Sequence, residues 1–251
     1  MFTKSPSLIH THPDFFVIGK PSNISFHADD NIASIGTNNP SEAPLLAQIR
    51  ELCRAHYGDT TLFPVHRLDH ITSGLLLFAR HADAAREFGT RFAEGGIDKC
   101  YLALSARSPS KKQGWIKGNM VKGRNGSWRL TNGAGLHAIT QFFSYGLGKV
   151  GEVDKEEQHT LRLFLVRPHT GRTHQIRVAL KSVGSPILGD TRYGGAPADR
   201  GYLHALALRF EWQGQPFSFY LPPDEGRFFH EPACQAKLTE VGDPWELGWP
   251  G

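Results

Sequence analysis

The apolar residues fall into two kinds of run. Asp14 to Lys20 (DFFVIGK) and Gly74 to Ala79 (GLLLFA) are continuous and of strand length. Without alternation, such runs predict strands buried on both faces. Two other stretches have helical spacing. Ser41, a capping residue type, precedes Leu45, Leu46, Ile49, Leu52 and Cys53, predicting a helix to about Tyr57. His81 to Glu94 places Ala85, Phe88 and Phe92 on one side and meets Gly95-Gly96, which stops it. Further strands are predicted over Tyr101 to Ala106, His137 to Tyr145 and Thr160 to Val166. A short helix is predicted from Thr173 to about Lys181, ending near Gly184-Ser185-Pro186. Two closing strands, near Tyr202 to Trp212 and Phe217 to Leu221, flank Gln213-Gly214-Gln215 as a hairpin. Strands adjacent in sequence and joined by short loops predict an α+β class, a mixed, mostly antiparallel sheet with flanking helices. No linker-like composition divides residues 1–251, so a single domain is expected.

Composition adds limits. With 39% hydrophobic residues in 251, the chain can bury a core without metals or disulfides. Its three cysteines, Cys53, Cys100 and Cys234, are far apart and form no CxxC pair. That suits a reducing compartment. The N-terminus lacks an apolar signal core, and no run of 18 apolar residues occurs, so a cytoplasmic protein without a membrane partner is expected. The net charge of +4 is modest, but it is unevenly spread. From Lys99 to Gly151 there is no Asp or Glu, while Lys111, Lys112, Lys117, Lys122, Arg124 and Arg129 alternate with glycine, Trp115 and Trp128. Two readings stand: a surface for phosphates and bases, or a solvated hairpin with basic decoration.

Two segments carry candidate chemistry. In the first, His66-Arg67-Leu68-Asp69-His70-Ile71-Thr72-Ser73-Gly74 feeds directly into LLLFA. It puts a carboxylate at the mouth of a buried strand, where neighbouring cations can tune it as a nucleophile. The same Asp69 is also what a turn would use to bind the amides of Ile71 or Thr72. In the second, Arg167-Pro168-His169-Thr170-Gly171-Arg172-Thr173-His174-Gln175-Ile176-Arg177 precedes Gly184-Ser185-Pro186-Ile187-Leu188-Gly189-Asp190. A helix starting near Thr173 puts His174 and Arg177 on one face. Three arginines around a helix start suit a phosphate or a buried carboxylate, or an anchored turn with a surface helix.

Together these segments resemble the RluA-type family of RNA pseudouridine synthases. HRLD followed by TSG and an apolar strand resembles that family's signature around its catalytic aspartate, and TGRTHQIRV with GSPILGD its second block. Lys99-Cys100-Tyr101-Leu102-Ala103-Leu104 resembles the strand carrying its active-site tyrosine. Lys20-Pro21 and Leu203-His204-Ala205 resemble its first and last blocks, and the likeness spans about residues 14–223.

The resemblance implies a pseudouridine synthase catalytic domain with Asp69, Tyr101 and Arg177 as catalytic residues. Asp69 would form a covalent intermediate with a uridine, Tyr101 would stack on the uracil and help remove the C5 proton, and Arg177 would pair with Asp69. Arg67 would fill the space of the extruded base, and His66, Arg172, His174 and Lys99 would complete an RNA-binding set. The implied partner is ribosomal or transfer RNA, the implied state a monomer, and the chemistry asks for no cofactor and no metal. Departures are Ser22-Asn23 after Pro21, where the family has Gly, and Ala179 and Ser185, where it often has His. They bear on substrate choice. Few residues precede Asp14, leaving no room in this sequence for the S4 RNA-binding domain of many relatives.

Other patterns point elsewhere. Gly146-Leu147-Gly148-Lys149-Val150-Gly151 satisfies GxGxxG, but Glu152 to Glu157 opens no apolar-faced helix, so a hairpin loop is expected. The pairs His66/His70 and His169/His174 keep a zinc hydrolase as an alternative, without the Glu of HExxH. No GxSxG elbow is present. A non-catalytic RNA-binding protein on the same fold is the second alternative.

Overall fold

The runs without alternation form adjacent antiparallel strands, β2 (Phe15–Lys20) and β4 (Thr72–Ala79), with every residue buried. Phe16, Ile18, Leu76 and Phe78 enter one core cluster, while Phe15, Val17, Leu75, Leu77 and Ala79 enter another. Each face needs apolar side chains, so no polar alternation survives. The structure, a computed structural model, describes residues 4–25, 45–58, 61–150 and 159–251. The expected Ser41 cap and the acidic run Glu152 to Glu157 lie outside the described residues.

The remaining strands are β1 (Ser7–Thr11), β3 (Phe63–Pro64), β5 (Ile97–Ser105), β6 (Gln113–Lys122), β7 (Trp128–Thr131), β8 (Leu136–Val150), β9 (His159–Pro168), β10 (Leu203–Trp212) and β11 (Gln215–Tyr220). They join one sheet in the order β1-β2-β4-β10-β5-β9-β8-β6-β7, with β3 on β4 and β11 on β10. Among the described residues only β4 and β10 pair in parallel. The class is therefore α+β with a mixed, mostly antiparallel sheet.

The helices are α1 (Leu45–Tyr57), α2 (Ala82–Glu94), α3 (Gln175–Ser182) and α4 (Pro232–Val241). Phe88 of α2 stacks on Trp212 with centroids 4.0 Å apart and meets Phe15 edge-on, closing the smaller cluster. The larger cluster joins α1, α3 and the sheet, and extends to Phe228, Phe229, Cys234 and Leu238.

Several elements differ from the expectation. β1, β6, β7 and α4 have no counterpart in the periodicity reading. The GxGxxG stretch is no loop up to Val150: it continues β8, with a bulge between Gly146 and Gly148 in its pairing to β9. Helix α3 starts at Gln175, because His174 takes left-handed backbone (φ 59°) at its N-cap. The closing hairpin is tighter than expected. Gln213 (φ 49°) and Gly214 (φ 77°) make a two-residue turn of the kind that matches strand twist.

Candidate active site

Asp69 sits on the turn that leads into β4. That turn is closed by its backbone carbonyl, which accepts from the Thr72 amide at 3.0 Å. The carboxylate is left for another partner: Oδ2 accepts from Arg177 Nη1 at 3.3 Å, and the side chain is 16% exposed. Among the described residues Asp69 makes no other side-chain hydrogen bond. The turn reading therefore holds for the main chain alone.

The floor under this turn is polar and buried. Lys20, 2% exposed at the end of β2, donates from Nζ to the carbonyls of Thr72 (2.7 Å) and Pro21 (3.0 Å), and more distantly to His70. Burial pulls its ammonium down to about 7, against the opposing charges of Glu225 and Asp69. Beside it Arg200 pairs with Glu225 at 3.0 Å and donates to Ser73 Oγ at 2.7 Å. Ser73 Oγ is 2.7 Å from His204 Nδ1, and His204 Nε2 is 2.7 Å from the Leu221 carbonyl. Leu221 offers only an acceptor, so Nε2 carries the proton and Ser73 donates to Nδ1. Gly74 permits the close approach of β4 to β10. It has φ +106°, and a Cβ there would lie 2.3 Å from the Ala205 carbonyl oxygen.

Arg177, on α3, is held from two sides. Nε and Nη2 donate to the two oxygens of Asp190 at 2.7 and 2.8 Å, leaving Nη1 for Asp69. Burial works against the guanidinium charge, but Asp190 and Asp69 outweigh it and raise the pKa further. The main partner of Arg177 is thus Asp190, which the sequence reading quoted within GSPILGD without giving it a role. Tyr193 completes this wall. The Arg177 guanidinium lies over its ring at 4.9 Å, its hydroxyl accepts from the Trp128 amide at 2.9 Å, and it lies 2.8 Å from His174 Nδ1. Gln175 locks the preceding loop. Its Oε1 accepts from the Thr170 hydroxyl and the Arg172 amide, and its Nε2 donates to Ile139 and Thr140.

The structure brings Asp69, Tyr101, Arg177, Arg67, His66, Arg172, His174 and Lys99 to the lining of one cavity of 430 Å3. Tyr101, on β5, is 9% exposed, and burial together with the Asp69 charge keeps its hydroxyl protonated. Lys99 projects over the Phe92 ring at 5.3 Å, and Arg172 donates to the His137 carbonyl at 2.9 Å.

His66 lines the wall, but its Nε2 accepts the Leu77 amide at 2.9 Å. Burial, with the nearby Lys99 charge, pulls His66 down to about 3. In the second histidine pair, His169 Nε2 lies 3.1 Å from Gln141 Oε1, and His174 is bonded to Tyr193. Among the described residues no group of three His, Cys, Asp or Glu is arranged to hold a metal ion. No helix there is long and apolar enough to cross a membrane.

Comparison with known proteins gives one answer at three levels. Residues 14–182 match the family model described as RNA pseudouridylate synthase. The chain is 40% identical over 227 residues to an uncharacterized RNA pseudouridine synthase of Haemophilus influenzae, covering 90% of this chain and 91% of that one. It is 35% identical over 178 residues to ribosomal large subunit pseudouridine synthase C of Escherichia coli, covering 64% of this chain and 53% of the relative. The solved structure of human RNA pseudouridylate synthase domain containing 4 shares the fold, with a TM-score of 0.67 at 20% identity and 93% of each chain covered. With an HRLD aspartate and an HQIR arginine meeting in one cavity, and with the match covering most of its length, this chain belongs to the RluA-type family of RNA pseudouridine synthases, which are isomerases.

Proposed function

We propose that this chain isomerises a specific uridine of ribosomal or transfer RNA to pseudouridine, through a covalent Asp69 intermediate and with the target base turned out of its stack. The observation that carries this reading is the meeting of Asp69, Tyr101 and Arg177 in one basic cavity. Arg177 pairs with the Asp69 carboxylate and orients it, while Asp190 fixes the direction of the guanidinium. The reaction breaks the N1–C1′ bond and makes C5–C1′; C5 loses a proton and N1 gains one. Atoms and electrons balance within the nucleotide, so the chemistry asks for no redox cofactor.

Tyr101 offers its ring for stacking. Its role at the C5 proton is disfavoured while Asp69 carries its charge, since that charge helps keep the hydroxyl protonated. Burial, the larger cause, remains once Asp69 is esterified; only the part owed to its charge is relieved. Arg67, exposed at the rim, takes the place of the extruded base, and Lys99, Arg172 and His174 hold the nucleotide. Extrusion costs a few kcal/mol, least in a single-stranded loop. The name of the Escherichia coli relative favours ribosomal RNA over transfer RNA. We further propose that the chain acts in the cytoplasm as a monomer and one catalytic domain. The large apolar side chains exposed among the described residues, Ile9, Tyr57, Leu136 and Tyr220, are isolated positions along the chain.

Carbodiimide mapping of pseudouridine in RNA from cells with and without the protein tests the reading. One or a few stops that vanish with the gene and return with wild type, but not with Asp69→Asn, are expected. A binding-only protein would leave the map unchanged and tolerate Asp69→Asn.

A further inference from the structure

A second cavity, of 600 Å3, lies behind the Tyr193 wall. Lys122 from β6, Arg124 from the turn between β6 and β7, Arg129 from β7, Lys181 from α3 and Arg192 line it, and no Asp or Glu does. All five cations are exposed, and among the described residues none is in an ion pair. Elsewhere on the surface, arginines such as Arg86 and Arg91 are matched by carboxylates one helical turn away.

Holding five like charges around one concavity costs self-repulsion unless an anion answers it. Arg192 also braces the turn, donating to the Asn125 carbonyl at 2.6 Å. Tyr193 lines this cavity, while its hydroxyl and ring touch His174 and Arg177 of the first. Tyr193 therefore connects the lining of the second cavity to two residues of the first.

We propose that the second cavity binds backbone phosphates of the same RNA strand, next to the nucleotide whose base enters the Asp69 cavity. This rests on the proposed function, and it adds the course of the strand: past Tyr193 and into the β6–β7 ribbon. Guanidinium groups pair bidentately with phosphate oxygens, and three of the five cations are arginines. A polyanion fits better than a free phosphate, because five exposed cations line the cavity, more charge than one phosphate answers. Such contacts set affinity and register and read no base, so the cavity holds the strand while the first cavity selects the uridine.

The test compares wild type with Lys122→Ala/Arg124→Ala/Arg129→Ala, and with a control removing Arg50, Arg54 and Arg86 from α1 and α2. The probe is unmodified ribosomal and transfer RNA transcripts carrying tritium at uracil C5. Filter binding and tritium release are both followed, from about 50 to 200 mM salt. The pocket variant is expected to raise half-saturation at least tenfold. It should lower the slope of log affinity against log salt by about 2–3. Its saturating rate should stay within twofold of wild type, and the control should match wild type.

Lys122→Arg/Arg124→Lys/Arg129→Lys, with melting unchanged, should recover most of the affinity and exclude a folding defect. Unchanged affinity and slope in the alanine variant would overturn the pocket while leaving the activity reading intact. If wild type releases no tritium but the variant loses binding and slope, the pocket stands and the activity reading fails. Inorganic phosphate that protects wild type against melting in the low millimolar range, with no RNA effect, would mark the pocket as a free-anion site and overturn the proposal.

Discussion

Arg177 spends two of its three donor groups on Asp190 and one on Asp69. Removing it leaves a 1% exposed carboxylate without its cation. Arg177→Ala should therefore cost about 3–5 kcal/mol in urea unfolding, beyond any loss of rate; a denaturation midpoint equal to wild type would contradict the bridge. His204 gives a pH signature. Its ring is 1% exposed, and burial pulls it from 6.5 to about 4. The unfolded chain takes up this proton near pH 6.5 and the folded chain only near 4, so the contribution is complete above 6.5 and lost as pH falls through that window. Wild type should lose on the order of 1–2 kcal/mol more than His204→Asn between pH 7 and 5. Parallel losses would rule the histidine out. At this scale the family resemblance singles out Asp69, Tyr101 and Arg177 as candidates because each stands in a block of contiguous residues, and the structure gathers them in one cavity. Asp190, Tyr193 and Lys20 carry partners far along the chain, and no spacing rule reports a bond such as Lys20 to Thr72.

The elements that were legible are those with a clean period. The runs at β2 and β4, and the amphipathic face of α2 with its left-handed Gly95 cap, follow from burial and capping alone. β6 and β7 were not legible, because cations and glycines fill this stretch, and β6 finds its partners across turns, β7 on one side and β8 on the other, while β7 pairs, among the described residues, with β6 alone. β8 runs past the predicted Tyr145 end because Gly146 and Gly148, which resemble a loop in sequence, form a bulge within the strand. Gly74 shows how one residue can govern an element. A methyl group there meets the Ala205 carbonyl and carbonyl carbon at under 3 Å, on a backbone with φ +106°. Gly74→Ala should destabilise by about 3 kcal/mol or more and shift the Asp69 turn. A variant that melts within a degree of wild type would show that β4 and β10 approach less closely.

For the molecule as a whole, the charge distribution and the sheet work together. Strands β4, β5 and β9, neighbours through β10, end around one cavity, and the acid-free segment from Lys99 to Gly151 supplies β6 and β7 beside it. The net charge of +4 understates this field, because the carboxylates lie elsewhere in the chain. The uridine addressed is a property of the RNA fit, which motif blocks do not encode. In the proposed reaction Asp69 is the nucleophile of a uridine isomerisation. Tritium release from RNA labelled at uracil C5 tests it most directly, with RNA from cells lacking the protein as substrate and wild type compared with Asp69→Asn. Stoichiometric release by wild type is expected, with a loss of about a thousandfold or more in the variant. RNA binding and melting should stay near wild type. Comparable release by Asp69→Asn would contradict this role.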